Sequence, residues 1–212
     1  MSAPLIIAID GTFASGKGTL ARRLAAHYRL AHLDTGKLYR ATARDCLAAG
    51  VALEDGEGAA AVAAAVEPGS LADPALLSGE IGQAASKVSV HPSVRAALLA
   101  YQREVAAAGA VLDGRDIGTV ICPDAPVKLF VDADAEVRAR RRFEELRSYG
   151  HDVTQEGVLA DLRERDHRDM SRATAPLKPA ADAHLLDTTH LSIDAAVSAA
   201  VSIVDAVLSA KG

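Results

Sequence analysis

The chain has 212 residues, half of them apolar, which suffices for one buried core with smaller appended parts. A formal net charge of −5 at pH 7 argues against a general nucleic-acid coat, because a phosphate backbone rewards a basic surface and repels an acidic one. Aromatic residues make up 3% of the chain and Trp is absent, so Ala, Val, Leu and Ile fill the core, and hydrogen bonds and charges carry most ligand recognition.

Leu5 to Ile9 is a continuous apolar, β-branched run, the pattern of a strand covered on both faces in a parallel sheet. It is too short for a membrane span or a signal segment and no basic stretch precedes it, so a cytoplasmic protein with no membrane partner is expected. Asp10-Gly11 ends the run. From Gly18 to Tyr28, Leu20, Leu24 and Tyr28 recur four apart with Arg22, Arg23 and His27 between them, which predicts a helix buried on one side, its arginines at the surface.

Between strand and helix lies Gly11-Thr12-Phe13-Ala14-Ser15-Gly16-Lys17-Gly18-Thr19, two glycines five apart followed by lysine. Such a loop bends so that successive backbone N–H groups converge on phosphate oxygens. Lys17 then bridges the transferred and bridging oxygens as a point charge, and Thr19 offers its hydroxyl to Mg²⁺. An ordinary glycine-rich turn needs no lysine at this spot. Gly18 stands where the strict phosphate-loop pattern has Ser or Thr, and the resulting Gly-Lys-Gly-Thr resembles the loops of nucleoside monophosphate kinases.

Further short strands are predicted at Ala31 to Leu33, Ala110 to Leu112, Val127 to Val131 and His184 to Leu186, each followed by helix-permissive sequence, giving five parallel strands and an α/β fold. Cys46 and Cys122 lie far apart in no metal or redox spacing, and both are expected reduced and structural. From Val51 to about Pro92 the chain is Ala-rich, with turn signals at Glu67-Pro-Gly-Ser70 and Asp73-Pro74, which reads as a small helical insertion. From Ala135 to Arg172 two helical segments flank a break at Tyr149-Gly150-His151. Arginines crowd this stretch (Arg138, Arg140, Arg141, Arg142, Arg147, Arg163, Arg165, Arg168 and Arg172), as suits a lid closing on polyphosphate. Arg140 with Glu144 and Arg141 with Glu145 equally fit a solvated helix face, and His167 reads as solvent-facing. A last helix begins at Ser192 as N-cap and repeats Ile193, Val197, Val201, Val204 and Leu208 on one face.

Several motifs in order make the chain similar to bacterial cytidylate kinase along almost its whole length. They are Leu33-Asp-Thr-Gly36 with Leu38-Tyr-Arg40, Ala85-Ser-Lys-Val88 with Val94-Arg95, Asp113-Gly-Arg-Asp-Ile-Gly-Thr119, Pro123-Asp-Ala-Pro126, and Arg165-Asp-His-Arg-Asp169 with Arg172. The resemblance implies a P-loop three-layer sandwich, a five-stranded parallel sheet with helices on both faces. Residues 1–50, 93–134 and 173–212 would form the core of a single kinase domain, 51–92 an acceptor-binding insertion, and 135–172 the lid with its flanking helices. It implies ATP as phosphoryl donor with Mg²⁺, CMP and dCMP as acceptors, and direct in-line transfer giving CDP or dCDP in pyrimidine nucleotide metabolism. A monomer without a nucleic acid partner is expected. A kinase for another acceptor such as UMP, or a non-catalytic nucleotide-binding module, is the alternative.

By the same resemblance Lys17, Arg115, Arg165 and Arg172 are the catalytic set, and the loop from Gly11 to Thr19 binds ATP. Thr35, Tyr39, Arg40, Ser86, Arg95, Arg115, Asp116, Arg165, Asp169 and Arg172 bind the acceptor. Asp116 would accept from cytosine N4 while Arg95 and Ser86 address the acceptor edge. Arg40 and Arg115 would clamp the acceptor phosphate, and Asp169 would accept from ribose hydroxyls. Asp113 or Asp116 also fits a helix cap, although the adjacent Arg115 at a strand end favours a site. The chain departs from the family in its short insertion, which leaves no room for the small antiparallel sheet of larger members. It departs again at Thr12-Phe13, where the family's loop usually begins Pro-Ser.

Overall fold

The computed structural model describes residues 4–211, so Met1–Ala3 and Gly212, the ends of the expected single domain, lie outside the described residues. The chain divides into two compact units, one holding the chain up to His32 and from Ala106 onward, the other Leu33–Val105.

The first unit is built on a parallel sheet. Its strands are β1 (Ile6–Gly11), β3 (Ala110–Gly114), β4 (Val127–Asp132) and β5 (His184–Asp187), and β2 (Ala31–Asp34) begins here and runs into the second unit; the sheet order is β2-β3-β1-β4-β5. Ile7, Ala8 and Ile9 are fully buried, as the unbroken apolar run of β1 requires of a central strand covered on both faces. Parallel register sets Asp10 beside Gly114, Gly11 beside Val131 and Asp132 beside Asp187, so the C-terminal ends of four strands lie level. Ligands of open α/β sheets bind beyond such ends.

Helix α1 (Lys17–Tyr28) buries Leu20, Ala21, Leu24 and Ala25, the face expected from its period. It stops where Arg29 takes a left-handed conformation and the Leu30 N–H returns to the Ala25 carbonyl at 2.9 Å. Helix α8 (Ile193–Lys211) starts as expected, the Ser192 hydroxyl accepting the Ala195 N–H at 3.2 Å. Its buried spine, however, is Ala196, Ala200 and Val204, while Ile193 is 40% exposed. Small alanines let the helix approach the sheet closely, so the packed face is rotated from the one its larger residues suggest. By length and composition α8 would pass for a membrane span. Its inner face instead joins Ile7, Ile9, Leu24, Val111, Leu129 and Val131 in one apolar cluster.

A second, smaller cluster holds helices α6 (Ala135–Ser148) and α7 (Gln155–Ser171) together through Ala139, Val158 and Leu162. The chain breaks between them at the expected place, with Gly150 at φ +81°, and Thr154 caps α7 by accepting the Gly157 N–H at 3.1 Å.

The second unit is helical: α2 (Thr35–Ala49), α3 (Gly56–Ala64), α4 (Gly79–Val88) and most of α5 (Pro92–Ala107). Two 3₁₀ turns, Pro68–Ala72 and Pro74–Leu77, occupy the stretch with the proline turn signals, and residues 51–92 form no strand. Helix α2 packs on α3 and α4 through Leu38, Cys46, Ala59, Ala63, Ala84 and Val88, all buried. Asp55, Asp73 and Ser78 each accept a backbone N–H at the start of the following element, so local sequence sets three of its boundaries. Cys46 and Cys122 are both buried.

Candidate active site

The glycine-rich loop joins β1 to α1 where the sequence places it. Gly11 is required by space, since a Cβ there would stand 2.0 Å from the Val131 carbonyl oxygen. Gly16 is required by conformation, at φ +87° immediately before the first helical turn. The loop is held from outside: Arg138 donates to the Phe13 carbonyl at 3.0 Å, and the Thr188 hydroxyl donates to the Ser15 carbonyl at 3.0 Å. Across a trans peptide the N–H points opposite to the carbonyl, so the Ala14 and Gly16 N–H groups turn to the other side. Lys17 Nζ lies across the loop, donating to the Thr12 carbonyl at 3.3 Å, and the Thr12 hydroxyl donates to Asp132 at 2.5 Å. Thr19 accepts from Arg22 Nη2 at 3.0 Å, and Arg22 is exposed, as read from the sequence.

Beyond β3 the first unit gathers an arginine–carboxylate cluster. Arg115 Nε donates to Asp169 at 2.8 Å, and Arg172, its side chain 4% exposed, lies 3.9 Å from Asp169 and 3.7 Å from Asp116. Burial alone would raise the Asp169 carboxyl, but Arg115, Arg165 and Arg172 outweigh it and hold the group below the usual carboxylate range. Burial would lower the Arg115 guanidinium, but Asp169, with Asp166 and Asp113 nearby, outweighs it and holds the group above its ordinary value. So Arg115, Asp116, Asp169 and Arg172, scattered across sequence, meet in this unit. Asp116 precedes a π-helical turn (Ile117–Ile121) and makes no side-chain cap bond to it, which removes the helix-cap alternative for that residue.

In the second unit α2 supplies Thr35, Tyr39 and Arg40, α4 supplies Ser86, and α5 supplies Arg95. Thr35, Ser86 and Arg95 are buried polar residues, and the Arg95 guanidinium stands 5.5 Å from the Tyr39 ring centroid. Arg40 donates to the carbonyls of Leu76 and Ser78 at 2.7 and 3.2 Å, which anchors the segment before α4.

Sequence reasoning missed several groups. Asp10 is buried and accepts the Ile117 and Gly118 N–H groups at 2.7 and 2.8 Å; the one charge ending an apolar strand was its signal. His32 pairs with Asp113 at 2.7 Å. Arg141 does not pair with Glu145; it reaches the Thr188 carbonyl at 2.8 Å, and Arg142 takes Glu145 instead. Arg141, Thr188, Leu191 and Ile193 with Ser15 and Thr19 line a cleft of 450 Å³ beside the loop. His167 is exposed, as read.

A family model described as cytidylate kinase matches residues 7–206. The cytidylate kinase of Rhodopseudomonas palustris (strain BisA53) is 60% identical over 205 residues, 96% of this chain and 97% of that one. That of Bradyrhizobium sp. (strain ORS 278) is 58% identical over the same shares. Among solved structures, an uncharacterized protein from Eubacterium ventriosum ATCC 27560 matches with a TM-score of 0.53 at 16% identity, covering 95% of this chain and 98% of that one, a likeness of fold.

Proposed function

The chain belongs to the cytidylate kinase family, and on that footing we infer that it transfers the terminal phosphoryl group of ATP to CMP and dCMP, giving CDP or dCDP and ADP. The observation that carries this reading is the loop from Gly11 to Thr19 at a strand-to-helix junction, with Lys17 lying across it. The loop's N–H groups and Lys17 are proposed to hold the donor phosphates. The cleft beside Thr188 and Arg141 is of a size to hold the donor's base.

Mg²⁺ takes oxygen ligands and retains several waters and phosphate oxygens. The Thr19 hydroxyl suits it, as does the Asp113 carboxylate, whose Oδ2 stands 3.7 Å from where a Cβ on Gly18 would lie. When bound, the ion neutralises charge on the phosphate oxygens.

Acceptor roles are proposed residue by residue. Asp116 accepts from cytosine N4, and Ser86 and Arg95 address the N3 and O2 edge; uracil would set its O4 against the carboxylate, a repulsive pairing. Arg40 and Arg115 hold the acceptor phosphate with planar forks, Asp169 accepts from ribose hydroxyls, and Arg165 and Arg172 meet charge on the transferred group. Residues 51–92 serve as the acceptor-binding insertion and 135–172 as the lid. Positioning and charge stabilisation supply the rate, so no dedicated base is needed.

The test is an ADP-release assay of the purified chain with ATP, Mg²⁺ and, in turn, CMP, dCMP, UMP and AMP. CMP and dCMP should be the preferred acceptors. Lys17→Ala should lower kcat about a hundred-fold or more with an unchanged circular dichroism spectrum; near-normal turnover in that variant would remove the mechanism.

A further inference from the structure

The ring of Phe13, on the phosphate loop, has a defined place. Arg165 of α7 brings its Cζ to 4.1 Å from the ring centroid, and Arg142 of α6 brings its Cζ to 5.7 Å. The Phe13 carbonyl accepts from Arg138, and its ring and Ala14 join the apolar cluster of Ala139, Val158 and Leu162. Contacts from both helices thus converge on one residue of the phosphate loop. A cation within about 6 Å of an aromatic face is drawn to it by the ring quadrupole. At 4.1 Å the Arg165 guanidinium lies over the ring, whereas Arg142 is farther away and already engaged with Glu145 at 2.7 Å.

We propose that Phe13 is a positioning residue, whose ring fixes the guanidinium of Arg165 beside the phosphate loop in readiness for the transferred phosphoryl group. The inference rests on the proposed role of Arg165 and adds to it a means of orientation. An arginine side chain has many rotamers, and ordering it during the reaction is costly. A ring on the loop itself restricts that freedom before substrate arrives, and it moves with the loop that holds the donor. The loop's backbone serves the cradle; the Phe13 side chain serves the lid.

Leucine suits the apolar cluster but has no quadrupole, while tyrosine keeps the face. The experiment compares steady-state kinetics with ATP, Mg²⁺ and CMP, and melting temperatures, for wild type, Phe13→Leu, Phe13→Tyr, Arg165→Ala and the double variant Phe13→Leu/Arg165→Ala. Phe13→Leu should lower kcat about five-fold while KM for CMP changes less than about two-fold. Phe13→Tyr should recover most of that loss, and Phe13→Leu should cost nothing further once Arg165 is Ala. Phe13→Met serves the same purpose if the leucine variant does not fold. Wild-type kcat in Phe13→Leu overturns the proposal, and so does a raised kcat, which would mean that the ring holds Arg165 back. An equal loss with and without Arg165 assigns the effect to loop shape and also overturns it. An inactive wild type removes the function beneath the proposal, and full activity in Arg165→Ala removes the role of that arginine; both failures appear before any change at Phe13.

Discussion

Asp10 shows how one side chain at a strand end shapes the site without belonging to it. Its carboxylate is 3% exposed and accepts the N–H groups of Ile117 and Gly118, fixing the turn that follows Arg115 and Asp116. Burial pushes its pKa up to about 6; the two N–H groups and Arg115 oppose the rise, and Asp116 adds to it. Over roughly pH 4 to 6 the folded protein therefore holds this proton more tightly than the unfolded chain does. The stability linked to Asp10 is complete below about pH 4 and is lost as pH rises through about 6. A displacement of about two units corresponds to about 3 kcal/mol. Urea unfolding of wild type and Asp10→Asn should show their stability difference moving in the variant's favour by about that amount between pH 4 and pH 7. A difference independent of pH would reject the buried, titrating carboxylate. The sequence marks Asp10 only as a charge ending an apolar run, and nothing local announces that its partners lie at Ile117 and Gly118. The π-helical turn there is likewise invisible to local propensity, because a distant carboxylate holds its first N–H groups.

At the scale of elements, helices α6 and α7 are tied by more than their small apolar cluster. Arg138 donates to Asp166 at 2.7 Å, to the Ala133 carbonyl at 2.7 Å and to the Phe13 carbonyl, with side-chain exposures of 6% for Arg138 and 12% for Asp166. Removing one member of such a pair strands the other charge in a poorly solvated place, which typically costs about 3 kcal/mol or more. Arg138→Ala should therefore destabilise the protein by about that much in denaturant titration. Adding Asp166→Asn should recover part of the loss, and strictly additive losses would show that the pair is not coupled. The strands, the break near Gly150 and the capped starts of α7 and α8 were legible, since apolar periodicity and cap residues act within a few positions. Arg138 was not, because it stands in the run Arg138-Ala-Arg-Arg-Arg142, where no period singles out the one that turns inward. Ile193 misled for the opposite reason: periodicity ranks residues by size, whereas close packing against the sheet selected Ala196 and Ala200.

At the scale of the whole molecule, the proposed chemistry is divided between the two units. The phosphate loop, the Arg115–Asp169–Arg172 cluster and the arginine-bearing helices lie in the first, and Thr35, Tyr39, Arg40, Ser86 and Arg95 in the second. The order of motifs along the chain made the set of residues legible, because each motif is local to its own strand end or helix; its division between the units was not read, since residues 1–50 and 93–134 were both assigned to the core. The contact of Arg115 with Asp169 depends instead on tertiary packing, and no sequence reading named it. A ligand that binds only the folded form stabilises it by mass action, about 2.7 kcal/mol at a hundred times its Kd, and slows hydrogen exchange most where it touches. With Mg²⁺, ATP should protect the Gly11–Thr19 loop, the Thr188–Ile193 segment, α6 and α7. CMP should protect α2, α4 and α5 together with the turn after β3. Lys17→Ala should lose most of the ATP protection while keeping that from CMP, because the lysine is assigned to the donor alone. Loss of both patterns in that variant, or ATP protection confined to α2 and α4, would contradict the division of labour between the two units.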